Sequence, residues 1–105
     1  MIEHVVLFNL KPGLEEAEIE WILRETRIRL LKIPVVRGLR CGYRIDPEAE
    51  WALFLLVEVD SPEKLACYKN DPAHVRFVEE VIRPNTTNRI AFDYQSDPGG
   101  DPLLS

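Results

Sequence analysis

The distribution of apolar residues along the chain predicts four β-strands and three helices. Residues 2–10 alternate between two apolar faces, as in a strand that is covered on both sides, and residues 51–60 repeat this pattern. Residues 35–46 predict a weaker strand with a bulge or bend at Gly38 and Gly42. A last strand is predicted over residues 86–95. One face of the two strongest strands carries Ile2, His4, Val6, Phe8, Leu10, Trp51, Leu53, Leu55, Val57 and Val59, and the other carries Val5, Leu7, Ala52, Phe54 and Leu56.

The helices are predicted from apolar spacing and from capping residues. Residues 14–33 show apolar side chains at helical spacing, with an acidic start and a basic end that complement the helix dipole, and Pro34 ends the helix. Two short helices follow the third strand. Each begins with a capping side chain next to a proline, at residues 61–62 and at residues 71–72, and the chain breaks between them near Asn70.

This order of elements, β-α-β-β-α-β, is the split βαβ arrangement of ferredoxin-like folds. The predicted fold class is α+β, with a four-stranded antiparallel sheet and helices on one face. The opposite face would then expose a large apolar surface, which proteins in water avoid. We therefore predict a homodimer that packs two sheet faces together into a dimeric α+β barrel. Residues 1–96 form the predicted domain, and the polar residues 97–105, rich in proline and glycine, form a predicted flexible tail.

Composition narrows the function classes. The 105 residues are 46% hydrophobic and contain 18 acidic against 13 basic side chains, a net charge of -5, so neither nucleic acid nor an anionic membrane is an expected partner. No apolar run reaches the roughly 20 residues of a membrane span, and the N-terminus does not resemble a signal peptide. We expect a cytoplasmic protein in which Cys41 and Cys67 are free thiols.

The first candidate for chemistry is His74, which opens an apolar stripe on the third predicted helix. The stripe continues through Phe77, Val78, Val81 and Ile82. At the start of a helix the dipole disfavours the imidazolium, and a neutral imidazole at the edge of a pocket is a workable base. The alternative is a core histidine that makes one hydrogen bond to backbone. The spacing is compatible with both interpretations.

Three further residues accompany this histidine. His4 lies among apolar residues on the first strand, either facing a pocket or marking the end of the strand. Tyr68 precedes His74 by six residues, and its hydroxyl either orients a carbonyl group or simply reaches water. Asp93 is interpreted as a structural hydrogen-bond acceptor. Phosphate-binding loops and zinc-ligand spacings do not occur, so we expect neither a cofactor nor a metal site.

Three stretches resemble one known family. They are "IEHVVLFNLKPG" near the start, "ACYKNDPAHVRFVEEVIRP" in the middle and "IAFDY" near the end. Their order and spacing are similar to those of the Dabb family, the stress-responsive dimeric α+β barrel domains, over about residues 2–95. The resemblance implies a ferredoxin-like protomer, a dimer and a cavity between sheet and helices in each protomer.

The resemblance also implies a possible chemistry. A plant branch of the family looks like polyketide cyclases, in which a tyrosine and a histidine perform acid/base catalysis with help from a first-strand histidine. The matching positions are Tyr68, His74 and His4. Two other polar positions of that branch are Leu53 and Thr26 here, which predicts a more apolar pocket.

Three functions remain open from the sequence. The first is a cofactor-free enzyme that uses His/Tyr acid/base chemistry on a hydrophobic carbonyl or polyketide-like substrate, with cyclase-like, lyase-like or monooxygenase-like activity. The second is a protein that binds a small hydrophobic ligand without turnover. The third is a purely structural, stress-associated dimer.

Overall fold

A computed structural model, which describes residues 1–97, contains the predicted elements in the predicted order. The strands are β1 (Ile2–Leu10), β2 (Gly38–Tyr43), β3 (Leu53–Val59) and β4 (Thr86–Gln95), and the helices are α1 (Glu16–Leu30), α2 (Pro62–Asn70) and α3 (Pro72–Phe77), the last continued by a π-helical segment (Val78–Ile82). The predicted flexible tail, apart from Asp97, lies outside the described residues.

The four strands form one antiparallel sheet in the order β2-β3-β1-β4, which is the ferredoxin-like α+β arrangement predicted from the sequence. The alternation along β1 and β3 divides their side chains between two environments, as predicted. One face packs against the helices and forms the core together with α1, to which the helix contributes Ile22, Leu30 and the buried Thr26. Burial of this face supplies the main stabilisation of the fold.

Within residues 1–97 no helix lies against the opposite face of the sheet, here called the outer face. Its apolar side chains are Val5 and Leu7 of β1, Phe54 and Leu56 of β3, and Ile90, Phe92 and Tyr94 of β4, and Glu3 and Glu58 lie on the same face. The exposed side chains among them include Phe54 at 39% and Phe92 at 41% of their surface. The predicted apolar sheet face is therefore present in the protomer.

Several boundaries differ from those predicted. Helix α1 begins later, at a capping box formed by Glu15 and Glu18, and it ends at Leu30, because the next residues form a turn before Pro34. Strand β2 spans six residues because only these pair with β3. Apolar residues outside the paired segments, such as Trp51, extended the predicted strands beyond their observed ends.

The bulge predicted in β2 is wrong. Strand β2 pairs with β3 in a continuous register, and the register shift in the sheet lies instead between Phe8 and Leu10, where β1 meets β4. Gly42 has a steric role: a Cβ atom there would lie 2.7 Å from the Phe54 ring. The glycine allows this aromatic side chain to lie over the neighbouring strand.

Candidate functional site

A cavity of about 250 Å³ lies between the inner face of the sheet and the helices α2 and α3. It is bounded by β1, by β4 and by the π-helical segment. Its apolar wall includes Val6, Phe8, Leu55 and Phe77. The volume is just below the roughly 300–1,000 Å³ of pockets that hold drug-sized ligands. The cavity is therefore suited to a small molecule.

Tyr68 lies at the centre of the polar wall of this cavity. Its position on α2, one turn after the buried Leu65, turns the ring toward the sheet, and the side chain is only 1% exposed. Burial raises the pKa of the phenol, so the hydroxyl stays protonated as a hydrogen-bond donor. Tyr68 lines the cavity, so this protonated hydroxyl is a donor that the cavity wall can offer to a ligand.

His74 lines the same cavity, and its ring lies against the ring of Tyr68 with centroids 4.5 Å apart. Its Nδ1 is 3.0 Å from the backbone carbonyl of Lys69. A carbonyl oxygen only accepts hydrogen bonds, so Nδ1 carries the proton and the neutral ring presents an unprotonated Nε2. His74 thus combines the two alternatives left open by the sequence, because it bonds backbone with one nitrogen and borders a cavity.

The surroundings of His74 favour its neutral form. Burial lowers the pKa of the imidazole, and electrostatic repulsion from His4, Arg89 and Lys69 lowers it further. The hydrogen bond to the Lys69 carbonyl acts in the opposite direction without reversing the shift. A histidine in this environment accepts a proton at neutral pH instead of carrying one already.

His4 completes the polar wall through a contact between two strands. Its Nδ1 lies 2.5 Å from Oδ1 of Asp93, the residue directly opposite it on β4. Lys69 Nζ approaches the other carboxylate oxygen at 3.9 Å. The rings of His4 and Tyr68 meet edge to face with centroids 6.1 Å apart. The structure therefore brings together all three candidate residues and confirms Asp93 as a hydrogen-bond acceptor.

Thr26 and Leu53 do not line this cavity, so the expectation that they make it more apolar is wrong. They border a separate void of about 10 Å³, near the lower limit for one water molecule. The Thr26 hydroxyl donates to the carbonyl of Ile22 in its own helix. Phe77 and Ile82 stand between the two spaces and line both of them. These side chains limit the length of the ligand that the cavity accepts.

The residues at the mouth of the cavity were not predicted from the sequence. Arg83 follows the π-helical segment, Arg89 lies on β4, and Thr87 and Asn88 lie between them. The stretch "TTNR" at the start of a strand was a usable signal, because four consecutive polar residues interrupt the alternation that the rest of the strand shows. The role of this stretch depends on which elements pack beside β4, and the sequence does not show that.

The position of His74 depends on the capping of its short helix. The Asp71 side chain accepts a hydrogen bond of 2.8 Å from the backbone amide of Ala73, and Pro72 occupies the first helical position. We expect Asp71→Ala to lower the free energy of unfolding by about 1 kcal/mol. Urea denaturation measures this change. The neighbouring Asn70→Ala is the control and should change stability by less than about 0.5 kcal/mol; equal losses in both variants would contradict the capping role.

Within residues 1–97 no three His, Cys, Asp or Glu side chains come together as a metal-binding group. In the same part of the chain, every helix is too short or too polar to cross a lipid bilayer.

Comparisons with known proteins identify the family and the fold of this chain. A family model described as "Stress responsive A/B Barrel Domain" matches residues 2–96. A Dabb family protein with a ferredoxin-like fold from Mesorhizobium loti superposes with a TM-score of 0.80 at 24% identity, covering 92% of this chain and 97% of its own. A dimeric ferredoxin-like protein of unknown function from Bacteroides fragilis gives a TM-score of 0.75 at 23% identity, with 90% and 95% covered.

An enzyme is also among the similar structures. A hydroxynitrile lyase from Passiflora edulis gives a TM-score of 0.79 at 15% identity, with 95% of this chain and 96% of the lyase covered. At these identities the structural neighbours establish the fold and nothing finer. No curated protein matches the chain significantly.

Proposed function

Since this chain belongs to the stress-responsive A/B barrel domain (Dabb) family, we propose that it is a small cofactor-free enzyme that removes a proton next to a carbonyl group. The observation that carries this proposal is the arrangement of His74 and Tyr68 in one cavity wall. One offers an unprotonated ring nitrogen and the other a protonated hydroxyl, with ring centroids 4.5 Å apart.

The proposed step requires no oxidant or reductant. The bond between the α-carbon and its hydrogen breaks, the proton moves to Nε2 of His74, and the electron pair moves onto the carbonyl oxygen. The Tyr68 hydroxyl donates a hydrogen bond to this developing enolate, as donors in an oxyanion hole do. Return of the proton to the same or another carbon gives exchange or isomerisation, and attack of the enolate on a second carbonyl gives an aldol ring closure.

His4 and Asp93 support this arrangement in our proposal. The Asp93 carboxylate accepts from Nδ1 of His4 and so holds the ring edge-on to Tyr68. The Nε2 of His4 is then the atom directed away from Asp93. It is suited to orient the substrate or the phenol, so we assign His4 an assisting role and Asp93 a positioning role.

The second candidate function is a ligand-binding protein without turnover. The observation that favours it is the bond between His74 and the Lys69 carbonyl, because this bond already joins α3 to α2 across the break in the chain. In that case the cavity holds a small ligand and His74 only orients it. The two functions differ in whether a bound ketone loses its α-proton.

Deuterium exchange tests the proposal directly. Levulinate, a small keto acid, and its methyl ester are incubated with the protein in D₂O, and NMR follows the loss of α-proton signals. We expect exchange well above the rate without protein, and we expect Tyr68→Phe to lower that protein-dependent rate by about 10²–10³-fold, as removal of one oxyanion donor does.

A control separates this effect from misfolding. Tyr43 is an exposed tyrosine at the far edge of the sheet, so Tyr43→Phe should leave the rate unchanged. If both ketones bind but neither exchanges faster than in buffer, the protein is the ligand binder of the second candidate.

We also propose that two copies associate through the outer face into a homodimer. Support comes from the seven apolar side chains gathered on that face without a covering helix, and from the similar Bacteroides fragilis structure, which is described as dimeric. The cytoplasmic location expected from the sequence stays a prediction.

A further inference from the structure

We propose that the substrate of this cavity carries a carboxylate, which Arg83 and Arg89 bind at the cavity mouth while its carbonyl group lies between Tyr68 and His74. This inference rests on the proposed function and names its substrate class. It predicts a small keto acid as the substrate.

The two arginines reach the same cavity from different elements. Arg83 follows the π-helical segment, and Arg89 lies on β4 opposite Phe8. Both line the cavity, and both are exposed at its edge. They are about six residues apart, across a turn at residues 83–85, and the fold places both at the same opening.

Neither guanidinium is neutralised within the part of the chain that the structure describes. The ion pairs there involve Arg29, Arg37, Lys69 and His4. Asp93, the carboxylate that lies beside His4, is already engaged by His4 and Lys69. A protein with a net charge of -5 has many acidic side chains to place beside two arginines. Two cations without such partners at a cavity mouth indicate an anionic ligand.

The threonine hydroxyls between the arginines already donate within the protein, Thr86 to the Ile82 carbonyl and Thr87 to the side-chain oxygen of Asn88. The guanidinium groups of Arg83 and Arg89 are therefore the donors on which the proposal relies. Planar guanidinium groups form paired hydrogen bonds with carboxylates, which gives orientation as well as attraction.

The cavity also limits the rest of the molecule. Phe8, Leu55 and Phe77 form its apolar wall. Phe8 lies opposite Arg89 on β4, whereas the ring of Tyr68 lies against those of His4 and His74. A ligand that reaches both groups carries a carboxylate toward the arginines and a ketone toward Tyr68 and His74, and the volume of about 250 Å³ leaves no room for a long acyl chain.

The test compares levulinate with methyl levulinate, which differ in the charge of the carboxyl end. Binding to the wild-type protein, Arg83→Gln, Arg89→Gln and Arg24→Gln is measured by NMR titration. Arg24 is an exposed arginine of α1 outside the cavity, so its substitution changes the net charge equally. We expect the wild type to bind levulinate at least about tenfold more tightly than the ester, a difference of about 1.4 kcal/mol.

The variants distinguish binding by Arg83 and Arg89 from a general effect of the net charge on levulinate binding. Arg83→Gln and Arg89→Gln are each expected to weaken levulinate binding by about tenfold and to leave ester binding unchanged, whereas Arg24→Gln should preserve the preference for the acid. Arg89→Lys should keep part of it, because the charge remains and the paired geometry is lost. Equal binding of acid and ester, or an equal loss in Arg24→Gln, would overturn the inference. Tighter competition by inorganic phosphate than by levulinate would overturn the carboxylate assignment.

The exchange assay distinguishes this inference from the proposed function. If the ester exchanges its α-protons as fast as the acid and binds as tightly, selection of an anion is wrong while the acid/base function stands. If the acid binds in an arginine-dependent manner and neither compound exchanges, the anion site stands and the catalytic proposal fails.

Discussion

Replacement of His74 by asparagine is expected to lower the rate of α-proton exchange by about 10²–10⁴-fold, the range that general acid/base catalysis contributes. Asparagine preserves a side-chain N–H that can donate to the Lys69 carbonyl, which in the wild type accepts from Nδ1 of His74 at 3.0 Å. The variant therefore removes the proton-accepting Nε2 while it keeps the contact that joins α2 and α3. The exchange of levulinate at saturating concentration, followed by NMR in D₂O, measures the change.

The dependence on pH gives an independent check of the same residue. Only the neutral imidazole accepts a proton, so the wild-type rate should rise with pH through the pKa of His74 and then level off. Burial places this pKa below its ordinary value of 6.5, so the plateau should include pH 7 and the decline should appear on the acidic side of 6.5. His74→Asn should show no such step.

His4→Asn serves as the comparison, because His4 faces Asp93 and has an assisting role in the proposal. We expect a smaller reduction there and retention of the acidic step. If His74→Asn keeps the wild-type rate while thermal unfolding shows both variants folded, then His74 is a structural residue and the acid/base mechanism is wrong.

The second large effect concerns the outer face of the sheet. We expect the wild-type protein to be a dimer at micromolar concentration and Phe92→Asp to be a monomer, as measured by light scattering. Phe92 lies opposite Val5 on the central strand β1 and is 41% exposed in the protomer. Full burial of such a side chain stabilises by about 1.5–3 kcal/mol, so the part still exposed in the protomer contributes about 0.6–1.2 kcal/mol on association. A two-fold interface contains the residue twice, and two buried carboxylates add a desolvation cost, which together predict at least a roughly tenfold weaker dimer.

Ile45→Asp is a matched control for this substitution. Ile45 lies between β2 and β3, away from the sheet face, and its side chain is 100% exposed. The same change from an apolar to an acidic residue should leave the dimer intact. Monomeric wild-type protein, or equal dissociation of both variants, would refute association through the outer face.

The strands with alternating apolar residues were the part of the fold that the sequence predicted best. The bounds of β1 and β4 agree with the structure, because both ends of each range pair with a neighbouring strand, with one register shift between Phe8 and Leu10. The ends of α1 and of β2 were less predictable. Apolar residues such as Ile33 continue the pattern into a turn and are buried there without being helical, so periodicity alone overestimates the length of an element.

The chemistry of the candidate site was predictable in part. The sequence, with its resemblance to one family, identified Tyr68, His74 and His4, and the fold brings the three to one cavity wall. It also suggested that Thr26 and Leu53 shape the same cavity, which is wrong because Phe77 and Ile82 separate them from it. The positions of residues along the chain do not show which other side chains lie between two of them in the folded protein.

The sequence by itself determined the order of strands and helices, the apolar face of each, and the residue types that can transfer a proton. These properties are local, because they follow from periods of two and of 3.6 residues and from capping residues. The tertiary structure alone decided which ring nitrogen of His74 is free, that Asp93 bonds His4, and that Arg83 and Arg89 meet at one opening. Contacts between different elements depend on strand register and on helix packing, and no local pattern of residues determines either of them.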